Sequence, residues 1–194
     1  MSERPPVYGE VPDDGTILTT GEYLQTAESM RVQELLFGTL CVADSPSFRH
    51  QNLLLELALL MRVYVRQHKL GTVCIAPLDV ILDPARALIL QPDLFYVSNA
   101  RSHIISDRVW GAPNLIVEVL SPHPRIGKIE DRLRLFGEYG VQECWLMHQP
   151  VNEIEVVQFG EFGGASRRLF RSLDRIESNV LPAFGLSPAL LSCW

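Results

Sequence analysis

The run Leu115-Ile116-Val117-Glu118-Val119-Leu120 constrains this chain more than any other feature. Successive side chains of a strand point to opposite faces, so a strand apolar at both parities is covered on both faces. It belongs inside a sheet with material packed above and below, which predicts an α/β or α+β domain. Glu118 breaks the pattern. An ionised carboxylate left unpaired among side chains that require burial is very costly. It needs a metal, a proton or a cationic partner. One solution is a buried salt bridge to an arginine of the helix that follows; the other is a metal ligand.

The rest of the chain supplies the covering layers. Residues 1–17 carry Pro5, Pro6, Gly9, Pro12 and Gly15 among polar side chains and read as an extended arm, leaving 18–194 as a single domain. Thr20 is placed to cap a short helix through Tyr23 and Leu24, with Glu22 in its first turn. Two β-like runs, 32–37 and 39–43, turn at Gly38. Ser45-Pro46-Ser47 then opens a helix ending near Gly71, in which Leu53, Leu57, Leu60 and Tyr64 recur on one face. After it the period shortens. Residues 72–76, 78–82, 87–90 and 93–97 are β-rich runs punctuated by Pro77, Pro84 and Pro92.

The stretch 98–113 is long for a structureless loop, so it is functional or holds a short helix. A basic helix is expected over 126–139, stopped by Gly140, with strands at 143–147 and 154–159 and a final hairpin around Gly163-Gly164. The architecture is one central mixed sheet, with one long helix before it and another between late strands.

Composition removes several classes. The most apolar stretch, 53–65, contains Glu56 and Arg62, so no membrane span is expected. No basic-then-apolar leader opens the chain, and the cytoplasm is the expected location. Cys41, Cys74, Cys144 and Cys193 show no ligand spacing and read as reduced thiols. A net charge of −6 and a pI near 5.4 count against a basic nucleic-acid coat protein. They do not exclude an enzyme acting on phosphates, since screening at about 8 Å makes the local field decide.

Asp93 is the second acidic residue beside an apolar strand. After Pro92 it reads as a turn residue, yet with Glu118 it suggests the paired carboxylates that hard divalent cations require. Glu34, in Val32-Gln33-Glu34-Leu35-Leu36, is a third case.

These residues fall in ordered motifs: Val32-Gln33-Glu34-Leu35; Ser45-Pro46-Ser47-Phe48-Arg49-His50-Gln51; Ala76-Pro77-Leu78-Asp79-Val80; Gln91-Pro92-Asp93-Leu94; and Ala112-Pro113-Asn114-Leu115 running on to Ser121-Pro122. Together they resemble the Uma-type proposed endonucleases, a bacterial family first known as a domain of unknown function and placed in the PD-(D/E)XK nuclease superfamily. The tail Gly140-Val141-Gln142-Glu143-Cys144-Trp145-Leu146 is similar to that family's Gly-Val-x-Glu-Tyr-Trp pattern. The resemblance covers roughly residues 17–160. It implies a restriction-endonuclease-like mixed sheet flanked by helices, with the metal site at one edge.

It also implies roles. Asp93 and Glu118 become paired ligands for Mg²⁺ or Mn²⁺, with the Val119 carbonyl, and Glu34 an acidic residue contacting metal or metal-bound water. His50 matches a histidine near the start of the long helix, as an accessory residue or a capping one. The other four histidines show no pairing pattern and read as ordinary. The superfamily's lysine two residues after the glutamate is Leu120 here, and the family's lysine on the next helix falls at Arg132. Lys128 lies one turn earlier and Arg125 three residues before that, so Lys128 or Arg132 is expected to fill the role. Arginine clamps phosphate but stays protonated, making it a poor activator of water.

The expected activity is metal-dependent hydrolysis of DNA phosphodiesters by a homodimer. Two alternatives remain at this point: a nuclease fold kept as a non-catalytic interaction module, or a subunit whose partner supplies the DNA contacts, with the 98–113 stretch and Trp110 as the interface element.

Overall fold

The computed structural model describes residues 14–27, 29–120, 128–149, 153–160 and 164–191. Most of the expected N-terminal arm lies outside them, as do Ser121, Pro122, Arg125, Gly163, Cys193 and Trp194. In chain order the first elements are α1 (Thr20–Tyr23), β1 (Gln33–Leu36), β2 (Thr39–Val42), α2 (Phe48–Gln67), β3 (Gly71–Ile75), β4 (Val80–Asp83), β5 (Leu88–Leu90) and β6 (Leu94–Ser98). A 3₁₀ helix (Asn99–Ile104) and β7 (Val109–Trp110) occupy the long connection. β8 (Leu115–Leu120), α3 (Ile129–Glu138), β9 (Glu143–His148), β10 (Glu153–Phe159), β11 (Ala165–Arg171) and a 3₁₀ turn (Pro188–Leu191) complete the fold.

Six strands form the main sheet in the order β11-β10-β9-β8-β6-β3, with β8 and β9 parallel and the other pairs antiparallel. Helices cover both faces, as the doubly apolar β8 requires. Leu54, Leu57, Met61 and Val65 of α2 pack on one face against Val117, Val119 and Trp145. Leu133 and Phe136 of α3 pack on the other against Phe95, Ile116 and Cys144. Glu118 shares the parity of Ile116 and therefore lies on the α3 side.

A second sheet, β2-β1-β5-β4-β7, was not foreseen beside the central one. Prolines explain the split. Pro77 and Pro92 bracket the β4–β5 hairpin, and a residue without an N–H ends a ladder. The chain leaves the main sheet after β3, builds β4 and β5 against β1, and returns at β6.

Two boundaries also differ from expectation. The cap of α1 is Thr19 rather than Thr20, because Thr19 and Glu22 stand three apart and close a capping box. α2 stops before Gly71: Lys69 takes the left-handed conformation, φ +53°, and Gly71 already belongs to β3. Gly71 is needed there for closeness, since a Cβ would stand 2.1 Å from the Val97 carbonyl oxygen.

Candidate active site

Antiparallel pairing of β6 with β8 sets Leu94 opposite Val117, so one further step along the ladder brings Asp93 level with Glu118. Asp93 is held on both oxygens. Its Oδ2 accepts from the Val119 N–H at 2.7 Å, and its Oδ1 lies 3.2 Å from His50 Nε2 in the first turn of α2. The Ser47 hydroxyl caps that turn by accepting from the His50 N–H, which places the histidine at the end of β6.

Arg132 of α3 reaches down onto Glu118. Its Nη2 and Nε donate to Glu118 Oε1 at 2.6 and 3.2 Å, and its Nη1 donates to Glu34 Oε2 at 2.5 Å. Glu34 sits on β1, so a single guanidinium ties the small sheet to the main one. The other Glu34 oxygen accepts from the Gln91 N–H at 2.8 Å. Among the described residues nothing hydrogen-bonds Glu118 Oε2.

Two carboxylates thus share one guanidinium, and Asp93 stands level with one of them on the neighbouring strand. Burial pushes the Glu118 carboxyl up to about 7; Arg132 opposes this, and Asp93 and Glu34 add to it. Burial also works against the Arg132 charge, but Glu118 and Glu34 outweigh it and raise that group further. Glu118 therefore satisfies the salt-bridge requirement and keeps a strained charge balance beside Asp93.

Lys128 is placed differently. It is the exposed N-cap of α3, and its carbonyl accepts from the Arg132 N–H at 3.2 Å. Its ammonium bonds no described residue. Of the two candidates for the lysine role, Arg132 is the one brought to the carboxylates. Leu120 is half-buried at the end of β8.

A supporting network behind Glu34 escaped sequence reasoning. Asp79 accepts from Gln91 Nε2 at 2.8 Å, from the Tyr23 hydroxyl at 2.9 Å and from Arg108 Nε at 3.0 Å. Gln91 Oε1 accepts in turn from the Gln33 N–H. Burial first, then Asp79, drives the Tyr23 hydroxyl's pKa well up, so it stays a donor. Asp79 fixes Gln91, and Gln91 fixes Glu34. The available signal was an aspartate between Leu78 and Val80.

Among the described residues no three His, Cys, Asp or Glu side chains gather as a metal cluster. The donor set at Asp93 and Glu118 is instead two carboxylates beside the Val119 backbone, whose carbonyl shares the strand edge of the N–H that reaches Asp93. That fits Mg²⁺, which keeps several waters and takes one or two carboxylates.

The family model described as Uma2, "Putative restriction endonuclease", matches residues 20–189. The chain belongs to the Uma2 family. A crystal structure titled as a "putative nuclease belonging to DUF820" from Anabaena variabilis superposes with a TM-score of 0.77 at 18% identity. The match covers 90% of this chain and 97% of that one, which establishes the fold. No curated protein matches the chain. In this Uma2 protein the matched segment contains Glu34, Asp93, Glu118 and Arg132 together with the Asp79 network.

Proposed function

We propose that this Uma2 protein is a Mg²⁺- or Mn²⁺-dependent endonuclease that hydrolyses DNA phosphodiesters. The observation that carries the reading is the meeting of Asp93 and Glu118 at the ends of paired strands, with the Arg132 guanidinium planted on Glu118. Asp93, Glu118 and the Val119 carbonyl would hold the ion. Once bound, it supplies Lewis acidity and a more acidic water. The chain's own groups do the rest: His50 and the Val119 N–H orient Asp93, Glu34 holds Arg132 in place, and Arg132 presents a fixed positive charge beside Glu118 for a phosphoryl oxygen.

The working unit in this reading is a two-fold pair in the cytoplasm, since closed two-fold pairs are the commonest assembly and bring one site to each strand of a duplex. No helix among the described residues is long and apolar enough to cross a membrane. Trp110, 43% exposed on the edge strand β7, is one apolar group available to such a contact.

The test is nicking of supercoiled plasmid with Mg²⁺ or Mn²⁺. Wild type should cut, and Asp93→Ala and Glu118→Ala should not. One observation favours a second reading, a nuclease fold kept as an interaction module: the guanidinium is engaged by two carboxylates and cannot take a proton from water. Under that reading Mn²⁺ raises the melting temperature with no cleavage of plasmid, linear, branched or single-stranded DNA, or of RNA.

A further inference from the structure

On the α3 side of the main sheet, the ends of the parallel strands β8 and β9 carry a second group of titratable residues. Leu120 is paired with His148 and Glu118 with Leu146, so His148 shares the face of Glu118, one strand over and two residues on. With a rise of about 3.3 Å per residue and about 4.8 Å between strands, their Cα atoms stand roughly 8 Å apart.

His148 is oriented. Its Nε2 is buried, without a hydrogen-bond partner, and lies 3.5 Å from Glu155 Oε2 on β10. Glu155 is steadied by Arg167 Nη1 at 3.5 Å, and Arg167 forms a two-pronged pair with Glu130 in the first turn of α3. Glu153 lies directly across from His148 in the ladder, paired with Arg171. The side chain is 33% exposed although Nε2 is not, so the open edge of the ring is the one bearing Nδ1, which bonds no described group. Glu155 faces Nε2 at ion-pair distance, beyond a hydrogen bond, and leaves Nδ1 as the nitrogen free to act.

We infer that His148 is the general acid of phosphodiester hydrolysis in this protein, with Glu155 as its positioning residue. The inference rests on the hydrolase reading and adds a proton donor to it. Attack of water forms a new P–O bond, and the water's proton passes to solvent. The P–O bond to the departing sugar oxygen breaks, and its electron pair stays on that oxygen. That oxygen takes the proton from His148 Nδ1, and the neutral imidazole recovers a proton from water. Glu118 marks one side of the reacting phosphate and His148 the other, as their shared face and a Cα separation of about 8 Å allow.

The test compares a leaving group that needs a proton with one that does not. Wild type, His148→Gln, His148→Ala and Glu155→Gln are assayed with Mn²⁺ on duplex DNA and on bis(p-nitrophenyl) phosphate. Loss of a general acid costs typically 10²–10⁴-fold, so His148→Gln should lose at least about 100-fold on DNA. On the activated ester, whose nitrophenolate leaves unprotonated, it should stay within a few-fold of wild type. Glu155→Gln should show the same contrast, smaller. Equal losses on both substrates, or none on DNA, in a wild type that cuts would overturn the assignment and leave the hydrolase reading standing. A wild type that cuts neither substrate overturns both.

Discussion

Arg132 and Glu34, 98 residues apart in the chain, meet at 2.5 Å in the interior and join the two sheets through one guanidinium. Both are nearly inaccessible, at 8% and 1% exposure. Two buried charges attract strongly, but each costs solvation, so removing one partner strands the other.

Arg132→Ala is therefore expected to destabilise the protein by about 3–5 kcal/mol, since Glu34 and Glu118 are left without their cation. Urea unfolding followed by tryptophan fluorescence would measure it. A loss under 1 kcal/mol would mean the carboxylates take up protons or water without cost, and that the bridge holds little.

The exchange to lysine separates stability from chemistry. Lysine cannot reproduce the fork that reaches Glu34 and Glu118 together, so Arg132→Lys should lose stability. Its compact ammonium can orient an attacking water, so cleavage per folded molecule should match or exceed wild type. Lys128→Ala, at an exposed cap away from the carboxylates, should cut at close to the wild-type rate. If Lys128→Ala abolishes nicking instead, Lys128 carries the role that the structure gives to Arg132.

Part of this site was legible in the sequence because parity and burial leave few choices. Glu118 announced itself by interrupting a doubly apolar strand, and an arginine of the next helix was one of the two partners expected for it, a metal being the other. Asp93 followed from its place before the neighbouring strand. The engagement of Arg132 by Glu34 was not legible, because nothing local in Val32-Gln33-Glu34 encodes a helix a hundred residues away. The second sheet was missed for a related reason. Strands of two to four residues are specified by their neighbours more than by their own pattern. His148 read as ordinary because its carboxylate lies across a ladder rather than nearby in sequence.

Asp79 is expected to act through Gln91 rather than by touching substrate. Asp79→Ala leaves a buried hydroxyl, a side-chain amide and a guanidinium short of their common acceptor, and should cost about 2–4 kcal/mol. Tyr23→Phe removes one of those bonds and should cost about 1 kcal/mol. Combining the two should cost less than their sum, because the bonds share Asp79. Additive losses in thermal or urea melts would show that Asp79 is not the hub.

The last prediction follows from the Glu118 carboxyl, raised to about 7. An unfolded glutamate titrates near 4.5, so the folded, metal-free protein binds this proton more tightly than the unfolded chain does. The stabilisation is full below about pH 4.5 and is lost as pH rises through about 7. Glu118→Gln removes the titration. Relative to wild type the variant should gain stability between pH 5 and 8, and the gain should level off above about 7. A metal reverses the slope, because Mn²⁺ must displace the same proton. Mn²⁺ affinity should fall about tenfold per pH unit below 7 and become flat above it. Calorimetric titrations at pH 5.5, 6.5 and 8 should also release close to one proton per ion at the acid end. Mn²⁺ binding that ignores pH across this range, or that survives in Glu118→Gln, would place the ion elsewhere than on Glu118.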